Sequence, residues 1–255
     1  MFGLPSGPLS TSALGIAAVA LLAGMARGFS GFGAAMLFMP LASSMLTPVV
    51  ATPVLLLTDL VSSSLVLRKA LREFCWIDVR SIFIGALLGF PLGLEILTRS
   101  DPISVRWMAS GIILASLVFI ASGWRYRGPR SVPLTLGIGV LSGTMSGVAQ
   151  IGNPPVVAYW LGAEMPAARM RSNLIVYFSM LTVLGVGIFA AKGLLTVRVI
   201  GLAAAAVPSY ALGMWIGNRL FPFASERVFR SITFGLIVLA VITGLPALDT
   251  LLNRR

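Results

Sequence analysis

The 255-residue chain is too apolar for a soluble protein. Hydrophobic residues make up 57% of its positions, charged residues make up 11%, and the mean hydropathy is +0.96. A soluble domain carries roughly 25% charged residues, so the lipid bilayer is predicted to be the main solvent. The net charge of +11 is attributed to membrane topology, and no nucleic-acid partner is expected.

Apolar segments recur along the chain, each near the roughly 17–25 residues of a membrane-spanning helix. They cover residues 14–26, 52–67, 81–97, 105–122, 132–147, 172–191, 197–216 and 232–245. Two shorter apolar segments, 34–46 and 154–162, are about half a membrane long at ~1.5 Å per residue. The loops are too short for a soluble domain. We therefore predict an all-α polytopic membrane protein of about eight spans, with residues 1–255 forming one transmembrane domain.

The loop charges predict the orientation of the chain. Most basic residues fall between spans two and three, between spans four and five, after span six and at the C terminus. With eight spans these positions share one side of the membrane, whereas full crossing by both short segments would give ten spans and change this sorting. The positive-inside rule then predicts both termini in the cytoplasm. The chain contains no histidine, which excludes histidine-ligated metal sites and histidine proton relays, and no metal or other cofactor is expected.

The second half of the chain repeats features of the first half. Three glycines of the first half have counterparts 119 positions later, and the pairs are Gly24 with Gly143, Gly28 with Gly147 and Gly33 with Gly152. Further matches are Val79-Arg80 with Val197-Arg198 and Pro91 with Pro208. The shared order over more than a hundred residues predicts two repeats, 10–123 and 131–246. Such duplicated halves are typical of transporters.

Each predicted repeat contains an interruption of its first helix. The first reads RGFSGFG over residues 27–33, and the second reads GVAQIGNPP over residues 147–155. Glycine costs about 1 kcal/mol and proline about 3 kcal/mol relative to alanine inside a helix, so the helix should stop at both places. Unwound backbone at membrane depth is tolerated only in protein or beside a watery cavity. Helices that restart at Ala34 and Pro155 would present free N–H groups and a positive dipole end, which suit an anion.

The interruptions also have a simpler interpretation as glycine-rich packing faces or tight turns. Two interruptions at matching positions, each before a half-length segment, favour a binding function. Arg27 adjoins the first one and is either an oxyanion ligand or an interfacial cation whose charge reaches the membrane surface. Asp59 lies inside the second span and either pairs with Arg27, carries a coupling proton or forms a structural ion pair.

The remaining candidate residues flank the interruptions or follow the second short segment. They are predicted to bind the substrate, and they are Gly28, Ser30, Gly31, Phe32, Gly33, Gln150, Gly152, Asn153, Pro154, Pro155, Arg171 and Asn173. Arg171 has an alternative role as an ordinary loop cation. No nucleotide-binding loop, catalytic triad or metal cluster is evident, so an enzyme is not expected.

Two motifs of the chain resemble signatures of the sulfite exporter TauE/SafE family of bacterial permeases. The first is RGFSGFG at 27–33 with FMPL at 38–41, and the second is QIGNPPVV at 150–157 with RSNLI at 171–175. The family typically has two glycines where this chain has Ala34 and Ala35, and a glycine where it has Asn153. The resemblance implies a plasma-membrane permease for sulfite, sulfonates or related carboxylates.

These observations predict a carrier that moves a small anion by alternating access and binds it at the two interrupted helices. The partners expected are the anion and the lipid bilayer, in the inner (plasma) membrane of a bacterium, and the oligomeric state is left open. An anion channel, and then a non-transport membrane assembly factor, are the alternatives.

Overall fold

The computed structural model describes residues 8–220, apart from 31–32, 124–125, 127, 129–130 and 163–164, together with residues 235, 237–238 and 241–242. The side chains of residues 8–12, 29–30, 65–66, 120 and 167 lie outside this description. Throughout the part described, the regular structure is helical and contains no strand. The predicted all-α class is therefore confirmed.

Nine helices have defined bounds within the described residues. They are α1 (Pro8–Ser30), α2 (Ala34–Met45), α3 (Pro48–Glu73), α4 (Trp76–Arg99), α5 (Pro102–Ser122), α6 (Val132–Ala149), α7 (Asn153–Leu161), α8 (Ala167–Ala191) and α9 (Val197–Leu220). The first seven predicted spans each lie within one of these helices, and the two half-length segments correspond to α2 and α7. The predicted eighth span, 232–245, lies mostly outside the described residues.

Five of the described helices are long and apolar enough to cross a membrane. They are Trp76–Arg99, Pro102–Phe119, Val132–Ala149, Ala168–Ala191 and Val197–Leu220. A sixth is obtained if Pro48–Ser64 and Leu67–Glu73 are counted as one bent span. The multi-spanning character is thus confirmed in the described part, and the number of eight stays a prediction.

The chain divides into two compact units, and the first contains residues 1–58 and 195–255. In this unit α1 packs along α9 and also contacts α2. The two long helices approach closely at glycines. A methyl group at Gly24 would overlap the carbonyl oxygen of Tyr210, and one at Gly28 would overlap that of Met214. Glycine is needed at these positions because the backbone of α9 occupies the space of a side chain.

The second unit contains residues 59–194. Here α4 packs along α6 and against α8, while α7 contacts α5, α6 and α8. Glycines again separate the closest helices. A methyl group at Gly143 would lie 2.7 Å from the carbonyl oxygen of Ala86, and one at Gly147 would overlap that of Phe90. At the end of α8, Gly193 has a φ of +67° and ends the helix with a reversed turn of a type that favours glycine.

The compact units do not coincide with the predicted repeats 10–123 and 131–246. The second unit joins α4 and α5 from the first half of the chain to α6, α7 and α8 from the second half. The first unit likewise joins α1 to α9. Each unit therefore takes its closest helix pair from both halves of the sequence, and the repeat itself stays a prediction.

The contact of α6 with α4 predicts opposite effects for two glycines of α6. Gly143→Ala should lower the unfolding temperature of the detergent-solubilised protein, because overpacking a tight contact costs about 1–3 kcal/mol. Gly137→Ala is the matched control, since a methyl group there meets no atom within 4 Å. This control should be neutral or stabilising by up to about 1 kcal/mol through helix propensity. Equal unfolding temperatures for the two variants would contradict the close packing.

Candidate functional site

The first interruption lies between α1 and α2. Helix α1 ends at Ser30, and α2 begins at Ala34 after Gly33. Gly33 has a φ of 96° and is buried, a left-handed conformation that glycine adopts without steric penalty. Gly31, Phe32 and the side chain of Ser30 lie outside the described residues, so their predicted roles stay predictions.

The charged candidates near the first helices belong to different units. Arg27 lies in the last turn of α1 and is half-buried, and the adjacent Gly28 is buried against α9. Asp59 lies in α3 at the start of the second unit and is also half-buried. Both Arg27 and Asp59 have interaction partners within the protein, and their functional roles stay predictions.

The second interruption is described completely. Helix α6 ends at Ala149, and Gln150 turns the chain with a φ of 61° and a ψ of 24°. The backbone N–H of Gln150 donates to the carbonyl of Ser146 at 2.9 Å, and its side-chain amide donates to the same carbonyl at 2.7 Å. Gln150 therefore closes the end of α6 with its own side chain, so its amide nitrogen is already engaged without a ligand.

Helix α7 restarts the chain immediately after this turn. Gly152 precedes the helix, and the prolines at 154 and 155 occupy its first turn, where their missing N–H groups remove no helical hydrogen bond. Among the described residues, the backbone N–H groups of Gly152 and Asn153 meet no acceptor. The start of α7 therefore presents two free backbone donors and the positive end of the helix dipole.

A buried group of hydroxyls supports this turn from the side of α6. Tyr177 of α8 donates a hydrogen bond to Ser142 at 2.9 Å, and Ser142 donates to the carbonyl oxygen of Gly152 at 2.7 Å. Ser146, one turn further along α6, is 3% exposed, and its hydroxyl has no hydrogen-bond partner. A methyl group at Gly152 would overlap that hydroxyl, so Ser146 lies directly against the Gly152 backbone.

Sequence reasoning did not identify these hydroxyls. Ser142 and Ser146 stand four residues apart on α6, each directly before a glycine, so that spacing places both on one helix face towards the interruption. This spacing is the sequence feature from which the two serines could have been identified. Tyr177 had no such signal, because its contact with Ser142 depends on how α8 packs.

Two candidates, Arg171 and Asn173, follow the second short segment and lie in α8. Asn173 is fully buried, accepts a hydrogen bond from the backbone N–H of Cys75 at 2.8 Å and donates to Asp78 at 3.3 Å. Its side-chain amide therefore holds the loop between α3 and α4 against α8. Beside it, Ser172 donates to Glu73 at 3.1 Å. Arg171 is exposed.

Together these features define a polytopic helical membrane protein whose helices α6 and α7 are separated by a tightly built turn. A model of the sulfite exporter TauE/SafE family matches residues 16–244. The chain therefore belongs to this family of multi-pass membrane transporters, as the two motifs predicted.

One curated relative is similar over most of its length. The chain is 27% identical over 215 residues to a protein of Cupriavidus necator (strain H16) named "Probable sulfite/organosulfonate exporter TauE", which covers 82% of this chain and 84% of the relative. No solved structure matches the chain.

The contacts of Asn173 predict a structural effect for its replacement. Asn173→Ala should lower the free energy of unfolding by about 1–3 kcal/mol, because the Cys75 N–H loses its buried acceptor. Cys75 is the single cysteine of the chain, so its rate of modification by a maleimide reports on the same loop and should rise. The exposed neighbour provides the control, since Arg171→Ala should stay within about 0.5 kcal/mol of the wild type. An unchanged labelling rate in Asn173→Ala would contradict this role.

Proposed function

We propose that the protein is a carrier that moves a small anion across the bacterial inner membrane by alternating access. Sulfite, an organosulfonate or a related organic anion is the substrate class. Membership of the TauE/SafE family and the name of the Cupriavidus necator relative support this class. Both termini are proposed to be cytoplasmic, from the distribution of basic residues in the loops.

The start of α7 is the observation that carries the proposal. Free N–H groups at Gly152 and Asn153 and the positive helix end favour an anion over a cation or a neutral ligand. Because Pro154 and Pro155 contribute no N–H, these two amides are the backbone donors that the turn leaves available. Asn153 is half-buried, so its amide side chain adds a neutral donor at the same place.

The close helix contacts support the proposed repeat. Gly24 and Gly28 of α1 meet Tyr210 and Met214 of α9 in the first unit. In the second unit, their counterparts Gly143 and Gly147 meet Ala86 and Phe90 of α4. The two glycines of each matched pair are separated by 119 positions, and the residues that they meet are separated by 124 positions. The same pattern of contact is therefore used twice. Duplicated helix arrangements of this kind are characteristic of transporters with broken helices.

Arg27 is proposed to bind the anion at the first interruption, with Gly28, Ser30, Gly31, Phe32 and Gly33 as the surrounding backbone. A guanidinium at this depth is expensive unless it serves a partner or a ligand, and its fork of donors matches an oxyanion. Asp59 is proposed either to carry a coupling proton or to form an ion pair. The pH dependence of transport by Asp59→Asn, compared with wild type, decides between these roles.

Transport itself is tested with purified protein in liposomes. Labelled sulfite or a sulfonate should move down its gradient at a saturable rate, while liposomes without protein should show only leak. A carrier must change conformation in each transport cycle. Its turnover rate should therefore be limited by conformational steps that take microseconds to milliseconds or longer. Absence of flux across a broad panel of anions would contradict the proposal, and non-saturating conduction would favour a channel.

Arg27→Gln tests the ligand role of the arginine. Losing a charge-assisted hydrogen bond of about 1.5–3 kcal/mol should weaken anion binding by about tenfold or more. Arg99→Gln is the matched control, because Arg99 is exposed and pairs with Glu95 at the end of α4. It should bind the anion as the wild type does. Equal losses in the two variants would assign Arg27 to the membrane interface instead.

A further inference from the structure

We propose that Ser146 is a ligand of the anion and donates its hydroxyl hydrogen at the start of α7. This inference rests on the proposed anion-carrier function and adds a residue to it. Its basis is the combination of an unpartnered buried hydroxyl with two free backbone amides at one turn of the chain.

The hydroxyl of Ser146 is unusual because it is buried without a hydrogen bond. The side chain is 3% exposed, and its hydroxyl makes no hydrogen bond. Serines in helices commonly donate to the carbonyl four residues earlier, as Thr144 does to Val140 at 2.9 Å. Ser146 does not, and an unsatisfied buried hydroxyl costs about 1–3 kcal/mol. A buried hydroxyl without a partner requires an explanation, and a bound ligand that completes its hydrogen bonding is one.

The Ser146 hydroxyl lies beside the backbone N–H groups that precede α7, so one anion can accept hydrogen bonds from both. Ser146 lies directly against Gly152, whose N–H is one of the two free donors before α7. The neighbouring Ser142 is excluded from this role because its hydroxyl is already engaged with Gly152 and Tyr177. Ser142 and Tyr177 hold the turn in place, which leaves Ser146 as the free side-chain donor among the described hydroxyls of α6 at this turn.

In the proposed repeat, the position equivalent to Ser146 is occupied by Arg27. Ser146 stands 119 positions after Arg27, the same separation that relates Gly28 to Gly147 and Gly33 to Gly152. The residue that precedes the last glycine of the helix is therefore an arginine before the first interruption and a serine before the second. A hydroxyl at the second position donates to an oxyanion without adding a second positive charge.

The test compares sulfite and methanesulfonate binding to the purified full-length protein and to Ser146→Ala, measured as ligand-induced shifts in unfolding temperature and as Kd by calorimetry. Ser146→Ala should bind at least about tenfold more weakly, because a hydrogen bond to a charged acceptor is lost. Without ligand it should unfold at the same or a higher temperature than wild type, since an unsatisfied hydroxyl is removed. A misfolded variant would instead unfold at a lower temperature.

Ser116→Ala is the matched control. Ser116 is also a buried serine without a partner in the second unit, but it lies on α5, which contributes no residue to the turn between α6 and α7. It should bind both ligands with wild-type affinity. If the wild type binds sulfite or methanesulfonate and Ser146→Ala binds it equally well, the role of Ser146 is overturned while the carrier function stands. If the wild type binds neither anion nor any of a broader panel, the proposed function itself fails.

Discussion

A chain that leaves its helix in apolar surroundings exposes N–H and C=O groups that water cannot satisfy. The turn between α6 and α7 meets most of this demand with its own residues. Gln150 returns both its backbone and its side-chain N–H to α6, and Ser142 donates to the Gly152 carbonyl. Two prolines remove N–H groups from the first turn of α7. Among the donors of this turn, those of Gly152, Asn153 and Ser146 are left without a hydrogen-bond acceptor.

The geometry of the turn between α6 and α7 depends on close helix packing. Ser142 and Ser146 project from the same region of α6 that carries Gly143 and Gly147, and these glycines bring α6 against α4. Without a side chain at Gly143, α6 reaches the backbone of Ala86, and packing rather than the hydrophobic effect drives such contacts in lipid. The serine face of α6 is then held in a fixed relation to Gly152. In the first unit, α1 uses glycines in the same manner against α9.

The sequence was sufficient to predict the helical class, the interruptions and the short helices α2 and α7. Glycine and proline carry a local penalty in helices, and a local penalty is readable from local sequence. The partner of each glycine face was not readable in this way, because a stripe of glycines reports that a helix is close and does not identify it. The sequence comparison of the two repeats matched Pro91 of α4 with Pro208 of α9. The close helix contacts instead make Gly89 of α4 equivalent to Gly213 of α9.

The roles of single polar residues were still harder to predict. Asn173 was expected near the ligand because it follows the second short segment, and this role stays a prediction. In the structure its amide forms hydrogen bonds with Cys75 and Asp78. Those partners are almost a hundred residues away in the sequence, so they follow from tertiary packing alone. Ser146 was missed for the opposite reason. A serine is common in membrane helices, and Ser146 is distinguished only by its unpartnered hydroxyl together with its contact with Gly152 in the folded protein.

The difference between Arg27 and Ser146 has a physical consequence for the protein without its substrate. A second arginine at position 146 would place a cation where the described structure buries a side chain without a partner, and the penalty for an unpaired buried ion is several kcal/mol. An unpaired hydroxyl costs only about 1–3 kcal/mol, which a folded domain tolerates at a functional position. The serine therefore keeps a donor ready at the second interruption at a penalty that the empty protein can sustain. Binding of an anion removes this penalty and so increases the affinity, because the anion satisfies a group that was unsatisfied before binding.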